Sequence, residues 1–323
     1  MQIFSIAAFL LLLMVYSVKF DKKLVEVLPV ALCTEILLLY VLAFFKALPF
    51  IDVIGAALIV SILIYIVKSS PDDRKVLLKR ASGKLIDPSW WVFVVMMMLI
   101  YIGVKDKLIT WWDDLNFWGT DVKAIFYDNG FAGKYLNVAP EFGDYPPGTQ
   151  LVKWMFLHLD KRGFNEGLMF TGYYFFIFSF LAPFISLFDK KGVQGIIGTI
   201  ISGAILFILP SCVEAFYLDG CCADICMAVA FGAFLVGVVK NADEARFNMI
   251  GGTLYLSAMV LCKNTSFIWL IYAFLFYVIY STVCTQKNSG KDKPDGAAAA
   301  GRLGIRTVDR IKSIIGYFAL PCS

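Results

Sequence analysis

The sequence predicts an all-α fold, a polytopic bundle of about nine or ten transmembrane helices with one long loop on its outer face. Composition is the first reason: 59% of the 323 residues are hydrophobic, 17% are charged, and the mean hydropathy is +0.75. Such a chain has too little polar surface to cover itself in water. The second reason is that long apolar runs recur without strand-like alternation, which favours helices over a membrane β-barrel.

The apolar runs place the helices in two groups. A run of about 20 apolar residues spans the hydrocarbon core of a bilayer. The runs predict N-terminal transmembrane helices within 1–105 and a second group within 167–283. The apolar start of a further span at 313–323 suggests a truncated product. The individual spans are predicted at 2–18, 24–48, 51–67, 89–105, 167–188, 193–210, 222–240, 248–262 and 266–283.

The basic residues predict the topology, because short loops rich in Lys and Arg stay in the cytoplasm. The loops at 106–166 and 211–221 are acidic and fall on the opposite side from the basic loops. This pattern predicts an outer N-terminus and a cytoplasmic linker at 284–312. It fits a bacterial plasma membrane, with the endoplasmic reticulum as the alternative. The basic segments are 19–23, 68–84, 190–191, 240–246 and 287–312.

Charge and cysteine usage exclude other classes of protein. The net charge of +4 is carried by loop residues between apolar runs, so we expect no nucleic-acid partner. The eight cysteines have no paired Cys-x-x-Cys spacing, which indicates buried hydrophobic residues and not zinc ligands or disulfides. The sequence does not indicate the oligomeric state.

Two adjacent carboxylates, Asp113 and Asp114, directly follow the fourth span and are flanked by tryptophans. Helix capping explains one carboxylate but not two, and neighbouring like charges are typical of functional sites. Trp111, Trp112 and Trp118 are more typical of the interfacial belt or of packing than of substrate contact. We therefore interpret the two aspartates as candidate catalytic residues and Trp118 as a candidate substrate contact.

The residues after this pair predict an amphipathic helix at 114–128 that lies on the membrane and ends at Asn129-Gly130. Its predicted apolar face repeats at helical spacing and comprises Leu115, Trp118, Val122, Ile125 and Phe126.

A rigid Pro-Pro-Gly turn follows in the same outer loop. It either holds Glu141, Asp144 and Tyr145 near the aspartate pair as substrate-binding residues, or it is only a loop corner. Asp219, at the mouth of the seventh span, is another candidate, with a solvated helix cap as the alternative. Lys263, at a further outer turn, either holds a phosphate or is only a loop cation.

Three more ionisable residues lie within apolar runs. Glu26 and Glu35 fall in the second span and must face the bundle interior or a partner. His158 is the only histidine, and packing is the favoured interpretation because no partner is visible in the sequence.

The pattern resembles the membrane-embedded C-type glycosyltransferases, which use dolichyl- or polyprenyl-phosphate sugars, and in particular their bacterial mannosyltransferase-like members. Asp113-Asp114 matches the acidic pair that opens the first large outer loop of that superfamily, over a resemblance that runs across residues 89–283. Tyr145-Pro146-Pro147-Gly148 is similar to its Tyr-Pro turn, Tyr217-Leu218-Asp219 to its later acidic motif, and Lys263-Asn264 to its Lys-containing turn. Three spans precede the loop here, where many members have one.

The resemblance implies an inverting transfer of a hexosyl or pentosyl unit from a lipid-linked sugar donor, drawn from the membrane lipid, to a cell-envelope acceptor. Transfer needs a carboxylate that takes the proton of the acceptor hydroxyl and positive charge beside the departing phosphate. We expect Asp113 or Asp114 to be the general base and Lys263 to hold the phosphate. The sequence requires no cofactor; if a metal binds, adjacent carboxylates favour Mg²⁺ or Mn²⁺ over zinc.

Two other classes of protein fit the same pattern. A secondary transporter or flippase would use ionisable groups near mid-membrane, as Glu26 and Glu35 are predicted to be. A non-catalytic scaffold is the third interpretation. The acidic outer loop of about 60 residues favours the enzyme, because long structured loops tend to be functional.

Overall fold

The structure is a computed structural model that describes residues 3–131, 145–160, 162–187, 192–213, 217–240 and 245–289. Within these ranges it contains twelve α-helices and no strand. A 3-10 turn at Leu48–Phe50 leads into α3, another at Ala182–Ser186 continues α8, and a π-helical turn at Asp114–Trp118 precedes α6. The α-helices are α1 Ile3–Phe20, α2 Leu24–Phe44, α3 Ile51–Lys68, α4 Pro71–Leu85, α5 Pro88–Val104, α6 Thr120–Asp128, α7 Gly148–Leu157, α8 Glu166–Leu181, α9 Val193–Val213, α10 Ala223–Lys240, α11 Ala245–Val260 and α12 Ser266–Ser289.

Each of the nine predicted spans coincides with a helix, but only five helices in the described part of the chain are long and apolar enough to cross a membrane alone. The pair α4 and α5, bent by 49° at its break, would add a sixth if it formed one span. Two further apolar stretches are shorter, Phe4–Phe20 within α1 and Ser266–Thr282 within α12. The five are Leu24–Phe44, Leu48–Lys68, Glu166–Ser186, Val193–Cys212 and Ala223–Lys240.

The basic segment predicted as a loop at 68–84 is instead helical. Ser70 caps α4 by accepting a hydrogen bond from the backbone N–H of Asp73. Pro71 occupies the first turn, where a backbone N–H would have no partner within the helix, so the N–H that proline lacks is not missed. No residue of α4 is buried. The charged residues in 68–84 predict a loop by their low hydropathy. They form an exposed helix instead, and its N-cap stabilises it.

The turns between helices gather at two ends of the bundle. At one, here called the Lys22 end, Lys84 pairs with Asp21 at 2.9 Å and Lys23 pairs with Asp87 at 3.0 Å. Lys22 lies 5.8 Å from the ring centroid of Phe247. The predicted basic loops that the structure describes thus meet at one end.

The opposite end, here called the Asp113 end, joins the turns predicted to be acidic. The backbone N–H of Gly148 donates to the carbonyl of Leu261 at 2.6 Å, which fastens the start of α7 to the turn between α11 and α12. Lys46, after α2, pairs with Asp128 at the end of α6. The Asp113 end therefore contains the described parts of the predicted outer loop and of the two later outer turns.

The core is built around α8. In the span Glu166–Ser186, 72% of the residues are buried, against 17% in Leu48–Lys68. The side chains of Tyr173, Tyr174 and Phe178 are fully enclosed by α2, α5, α7 and α10. Helices α3 and α9 instead present exposed isoleucine and leucine side chains on their outer faces. The core of the bundle is thus centred on α8, and the exposed apolar faces of α3 and α9 lie at its periphery.

Candidate functional site

A π-helical turn begins at Asp114, directly after Asp113, and ends at Trp118. The N–H of Gly119 donates to the carbonyl of Asp114 at 2.8 Å, five residues back, so the turn holds one residue more than an α-helical turn. Asp113 is exposed, whereas Asp114 is only 2% exposed. The pair predicted from the sequence is therefore two carboxylates in opposite environments.

The same extra residue corrects the predicted apolar face of this segment. The sequence predicts that Leu115, Trp118, Val122 and Ile125 share an apolar face that lies on the membrane. In the structure Trp118, Val122 and Ile125 are instead buried within the protein, and Leu115 is 53% exposed. The prediction assumed one α-helical period from 114 to 128, and the π-turn breaks that period before Gly119. The helix ends at Asn129, as predicted, in the left-handed conformation with φ of 53°.

The carboxylate of Asp114 is held by the turn that precedes α10. The backbone N–H of Cys221 donates to it at 3.1 Å, and the Cys221 thiol lies 3.2 Å from its other oxygen. Tyr173 donates its hydroxyl to the carbonyl of Cys222 at 2.9 Å, which holds that turn on α8. Asp114 thus joins the outer loop to the later outer turn from inside the protein.

Lys153 of α7 provides the positive charge of this buried cluster. Its side chain is fully buried, and its ammonium donates to the carbonyls of Trp118 at 3.4 Å and Cys221 at 3.3 Å. It also lies 5.5 Å from the ring centroid of Tyr173. A buried ammonium is retained only when anions and acceptors surround it, and the charges of Asp114 and Asp121 meet that need.

The protonation of the cluster reflects its burial. Burial raises the pKa of Asp114, and the opposing effects of the Lys153 charge and the Cys221 hydrogen bonds only partly offset that rise. Burial likewise raises the pKa of Asp121 to about 6, again against the charge of Lys153. The Cys221 thiol has its pKa raised by burial and therefore stays protonated as a donor to Asp114.

Aromatic rings cover the cluster and connect it to Tyr145. The ring of Tyr145 stacks on Phe117 at 5.8 Å and lies 5.0 Å from Trp118. Trp118 is 1% exposed, so the packing alternative holds for it. Trp111 and Trp112 are exposed by 43% and 64%, as the interfacial alternative expects.

Lys263 lies beside this aromatic group, at the turn between α11 and α12. Its ammonium is 2.7 Å and 2.9 Å from the two carboxylate oxygens of Asp224. Burial lowers the pKa of Lys263, but the hydrogen bonds and charge of Asp224, with a smaller contribution from Tyr145, outweigh burial and raise that pKa overall. Lys263 thus stays charged beside Asp224 at the Asp113 end.

The Pro-Pro-Gly turn anchors Tyr145 between these parts. A Cβ added at Gly148 would lie 2.6 Å from the carbonyl oxygen of Leu261, so only glycine permits this close approach. The turn therefore packs directly on the Lys263 turn. The two other residues assigned to this turn, Glu141 and Asp144, lie outside the described residues.

Asp219 lies at the same end but belongs to a separate pair. Its side chain is half exposed and pairs with Lys107, at the start of the outer segment that follows α5. Glu26, predicted to face the interior, lies in the first turn of α2, where its carboxylate accepts from the backbone N–H of Lys23 at 2.9 Å. Glu35 is buried, 6% exposed, as predicted.

His158 has a partner that the sequence does not reveal. Its Nε2 lies 3.1 Å from a carboxylate oxygen of Asp52 in α3, and its ring stacks on Trp154 at 4.6 Å. Asp52 is 4% exposed. The pair joins α7 to α3, which agrees with the packing interpretation.

No group of three or more His, Cys, Asp or Glu side chains with the arrangement of a metal site occurs among the described residues. Two of the residues that could supply oxygen ligands to a metal ion, Glu141 and Asp144, fall in the range 132–144, which the structure does not describe. The Mg²⁺ or Mn²⁺ expectation therefore stays a prediction.

Sequence reasoning did not single out Lys153, Asp121, Asp224 or Cys221. A signal existed for Lys153, because it is a lone cation in the apolar run Leu151–Leu157. Asp224 likewise stands at the start of a span. Cys221 acts mainly through its backbone N–H, for which sequence carries no signal.

No protein-family model matches this chain, and neither curated proteins nor solved structures include a significant match to it.

Proposed function

We propose that the protein is an integral membrane glycosyltransferase that moves a sugar from a polyprenyl-phosphate donor to an acceptor at the Asp113 end. One observation carries the proposal: the turn after the exposed carboxylate of Asp113 and the turn that carries the charged lysine Lys263 form one unit. Phe117 and Trp118 pack on Tyr145, and Gly148, in the same turn as Tyr145, hydrogen-bonds to Leu261, two residues before Lys263. A base and a cation in one unit are the two groups that transfer from a lipid phosphate needs.

The membrane location rests on apolar surface. Five helices are long and apolar enough to span a bilayer, and α3 and α9 expose rows of isoleucine and leucine that water would not tolerate. The basic loops meet at the Lys22 end, so the positive-inside rule places that end in the cytoplasm and the Asp113 end outside. The N-terminus of α1 is then outside, at the plasma membrane of a bacterium.

The exposed aspartate is the better general base. An acceptor hydroxyl must reach the carboxylate, and Asp113 is exposed whereas Asp114 is enclosed and already bonded to Cys221. Asp113 takes the proton as the acceptor oxygen bonds to the anomeric carbon. The bond from that carbon to the phosphate oxygen breaks at the same time, and the lipid phosphate leaves with the electron pair. Asp114 acts as a positioning residue that fixes the turn.

Lys263 stabilises the charge that develops on the leaving phosphate. It must give up part of its contact with Asp224 to do so, and that carboxylate is about half exposed. An Mg²⁺ or Mn²⁺ ion held by the oxygen ligands of the outer loop would supply further charge neutralisation.

The full-length protein, purified in detergent and supplied with a polyprenyl-phosphate mannose, tests the proposal through release of free lipid phosphate. We expect release by the wild type, loss of release in Asp113→Asn, and normal release in Asp106→Asn, an exposed acid of the same loop. Donor that stays intact with all proteins, or release that Asp113→Asn leaves unchanged, would contradict the assignment.

A transporter is the second candidate, and one observation favours it: Glu35 is buried within the span Leu24–Phe44. Ionisable groups at membrane depth are characteristic of ion and proton pathways. In proteoliposomes a transporter would lose uptake of its lipid-linked or polar solute in Glu35→Gln and keep that uptake in Asp113→Asn. The glycosyltransferase proposal expects the opposite pattern for lipid-phosphate release.

A further inference from the structure

Two adjoining cavities run along α10 from the Lys22 end towards the Asp113 end. The first, of about 430 Å³, opens at the Lys22 end and is lined by Lys22, Glu26, Lys240 and Asn248 among others. The second, of about 680 Å³, lies between α8, α9 and α10. They share a wall of four apolar residues: Phe180, Phe184, Ala233 and Val236. A chamber with charged side chains at the Lys22 end therefore adjoins an apolar groove.

The groove exists because α9 does not close against α10. Helix α9 packs on α5 and on the 3-10 turn Ala182–Ser186, while α10 turns small side chains towards it. Gly232 and Ala233 line the groove, and a Cβ added at Gly232 would meet no atom within 4 Å. The only hydroxyl in the lining, that of Ser202, donates to the carbonyl of Gly198 at 2.9 Å. The groove thus offers apolar surface alone.

The chamber at the Lys22 end carries the charge that selects an occupant. Lys22 and Lys240 contribute two positive charges and Glu26 one negative charge. The Glu26 carboxylate is already bonded to the backbone N–H of Lys23 as part of the start of α2. The chamber therefore has an excess of positive charge beside an apolar groove, which matches a molecule with an anionic head and a hydrocarbon tail.

We infer that this composite cavity binds an anionic phospholipid, with the phosphate head group at Lys22 and Lys240 and one acyl chain in the groove between α9 and α10. The occupant differs from the sugar donor of the proposed function. Helix α10 has 18 residues, which at 1.5 Å per residue separates Lys240 from the Asp113 end by about 27 Å. A donor phosphate bound at Lys240 would be out of reach of Asp113.

Native mass spectrometry of the full-length protein in detergent tests this inference, with phosphatidylglycerol and phosphatidylcholine offered at equal concentration. We expect the wild type to retain phosphatidylglycerol at least about tenfold more strongly, since two lysines contact one phosphate. The double variant Lys22→Gln with Lys240→Gln should bind both lipids equally. The control variant Lys68→Gln with Lys75→Gln removes the same charge from exposed positions at the same end and should keep the preference.

A second variant tests the groove. A Cβ added at Gly232 would meet no atom within 4 Å, and this residue lines the groove. Gly232→Leu should therefore occupy groove space and weaken retention of both lipids while the circular dichroism spectrum stays unchanged. The inference is overturned if the Lys22 and Lys240 variant keeps its preference, if the control pair loses it equally, or if polyprenyl phosphate displaces phosphatidylglycerol at equal concentration. None of these readouts depends on sugar transfer, so the inference stands or falls separately from the proposed enzyme activity.

Discussion

The carboxylate of Asp114 accepts a hydrogen bond at 3.1 Å from the backbone of Cys221, a residue 107 positions later in the chain. The contact is buried and lies beside the fully buried ammonium of Lys153. It joins the loop after α5 to the turn before α10, the two segments that flank the proposed reaction site. The aspartate that makes this structural contact is therefore not the aspartate proposed as the general base, and variants can separate the two roles.

Asp114→Asn and Asp113→Asn should have opposite profiles. In Asp114→Asn an amide group faces the Cys221 N–H, and the buried anion near Lys153 is lost, so we expect a loss of about 1–3 kcal/mol in unfolding free energy. Asp113→Asn changes an exposed side chain and should leave the melting temperature unchanged. Thermal unfolding in detergent measures both. Equal melting temperatures for the two variants would contradict the separation of roles.

Lys153 and Asp114 should be energetically coupled. Lys153→Met leaves buried carboxylates without their cation, which costs about 3–5 kcal/mol when one partner of a buried pair is removed. The double variant Lys153→Met with Asp114→Asn should lose less than the sum of the single losses, by about 0.5–3 kcal/mol. Denaturant unfolding of the four proteins gives this coupling energy. Additive losses would mean that the two side chains stabilise the protein independently.

The stability of the protein should fall as the pH rises from about 4 to about 6. Burial raises the pKa of Asp121 to about 6 from an ordinary value of 3.8, so in this interval the folded state holds a proton that the unfolded state has released. Rising pH then favours unfolding, on the order of 1 kcal/mol for this partly exposed group. Asp121→Asn should flatten the dependence. Melting temperatures of both proteins between pH 4 and pH 7 check it, and equal slopes would contradict it.

Lys263→Gln should act on donor binding. If the lysine holds the lipid phosphate, its loss removes a charge-assisted contact and raises KM for the polyprenyl-phosphate donor about 10- to 100-fold. Lys107→Gln, which breaks an ion pair with Asp219 at the same end, is the matched control and should leave KM unchanged. Steady-state release of lipid phosphate gives the values. An unchanged KM in Lys263→Gln would remove this residue from the site.

Gly148→Ala and Gly237→Ala should change stability in opposite directions. The added methyl at Gly148 meets backbone atoms of Leu261, so the start of α7 must move, at a cost of about 1–3 kcal/mol. At Gly237, inside α10, nothing lies within 4 Å, and alanine should stabilise the helix by about 0.5–1 kcal/mol. Melting temperatures of the two variants against the wild type decide the matter.

Much of the fold follows from the sequence because helix and apolar run coincide. The nine predicted spans each overlap a helix, from Ile3–Phe20 to Ser266–Ser289. The number of membrane-crossing helices is harder to predict than their positions, because only five of the described helices are long and apolar enough to cross a membrane alone. Burial by neighbouring helices is invisible in a hydropathy profile, so α8 and α3 look alike in sequence although one is the core and the other is peripheral.

The site is only partly predictable for a related reason. Asp113, Asp114, Trp118, Tyr145 and Lys263 were identified by residue type and position, and the structure brings them to one end of the bundle. Composition and spacing predict neither which of the two aspartates is exposed nor that a π-turn begins at Asp114. Partners that act across more than 60 residues, such as Lys153 with Cys221, become visible only in three dimensions.

The extra residue in the turn Asp114–Trp118 also affects what a deletion in this segment of the chain would do. Each α-helical residue advances the chain by about 100°, so deletion of Asn116 would restore an ordinary helical turn without disturbing the packing of Val122 and Ile125. The segment before the deletion would then rotate by that angle relative to α6. A single-codon deletion would thereby exchange the surroundings of two neighbouring acids while retaining both in the sequence.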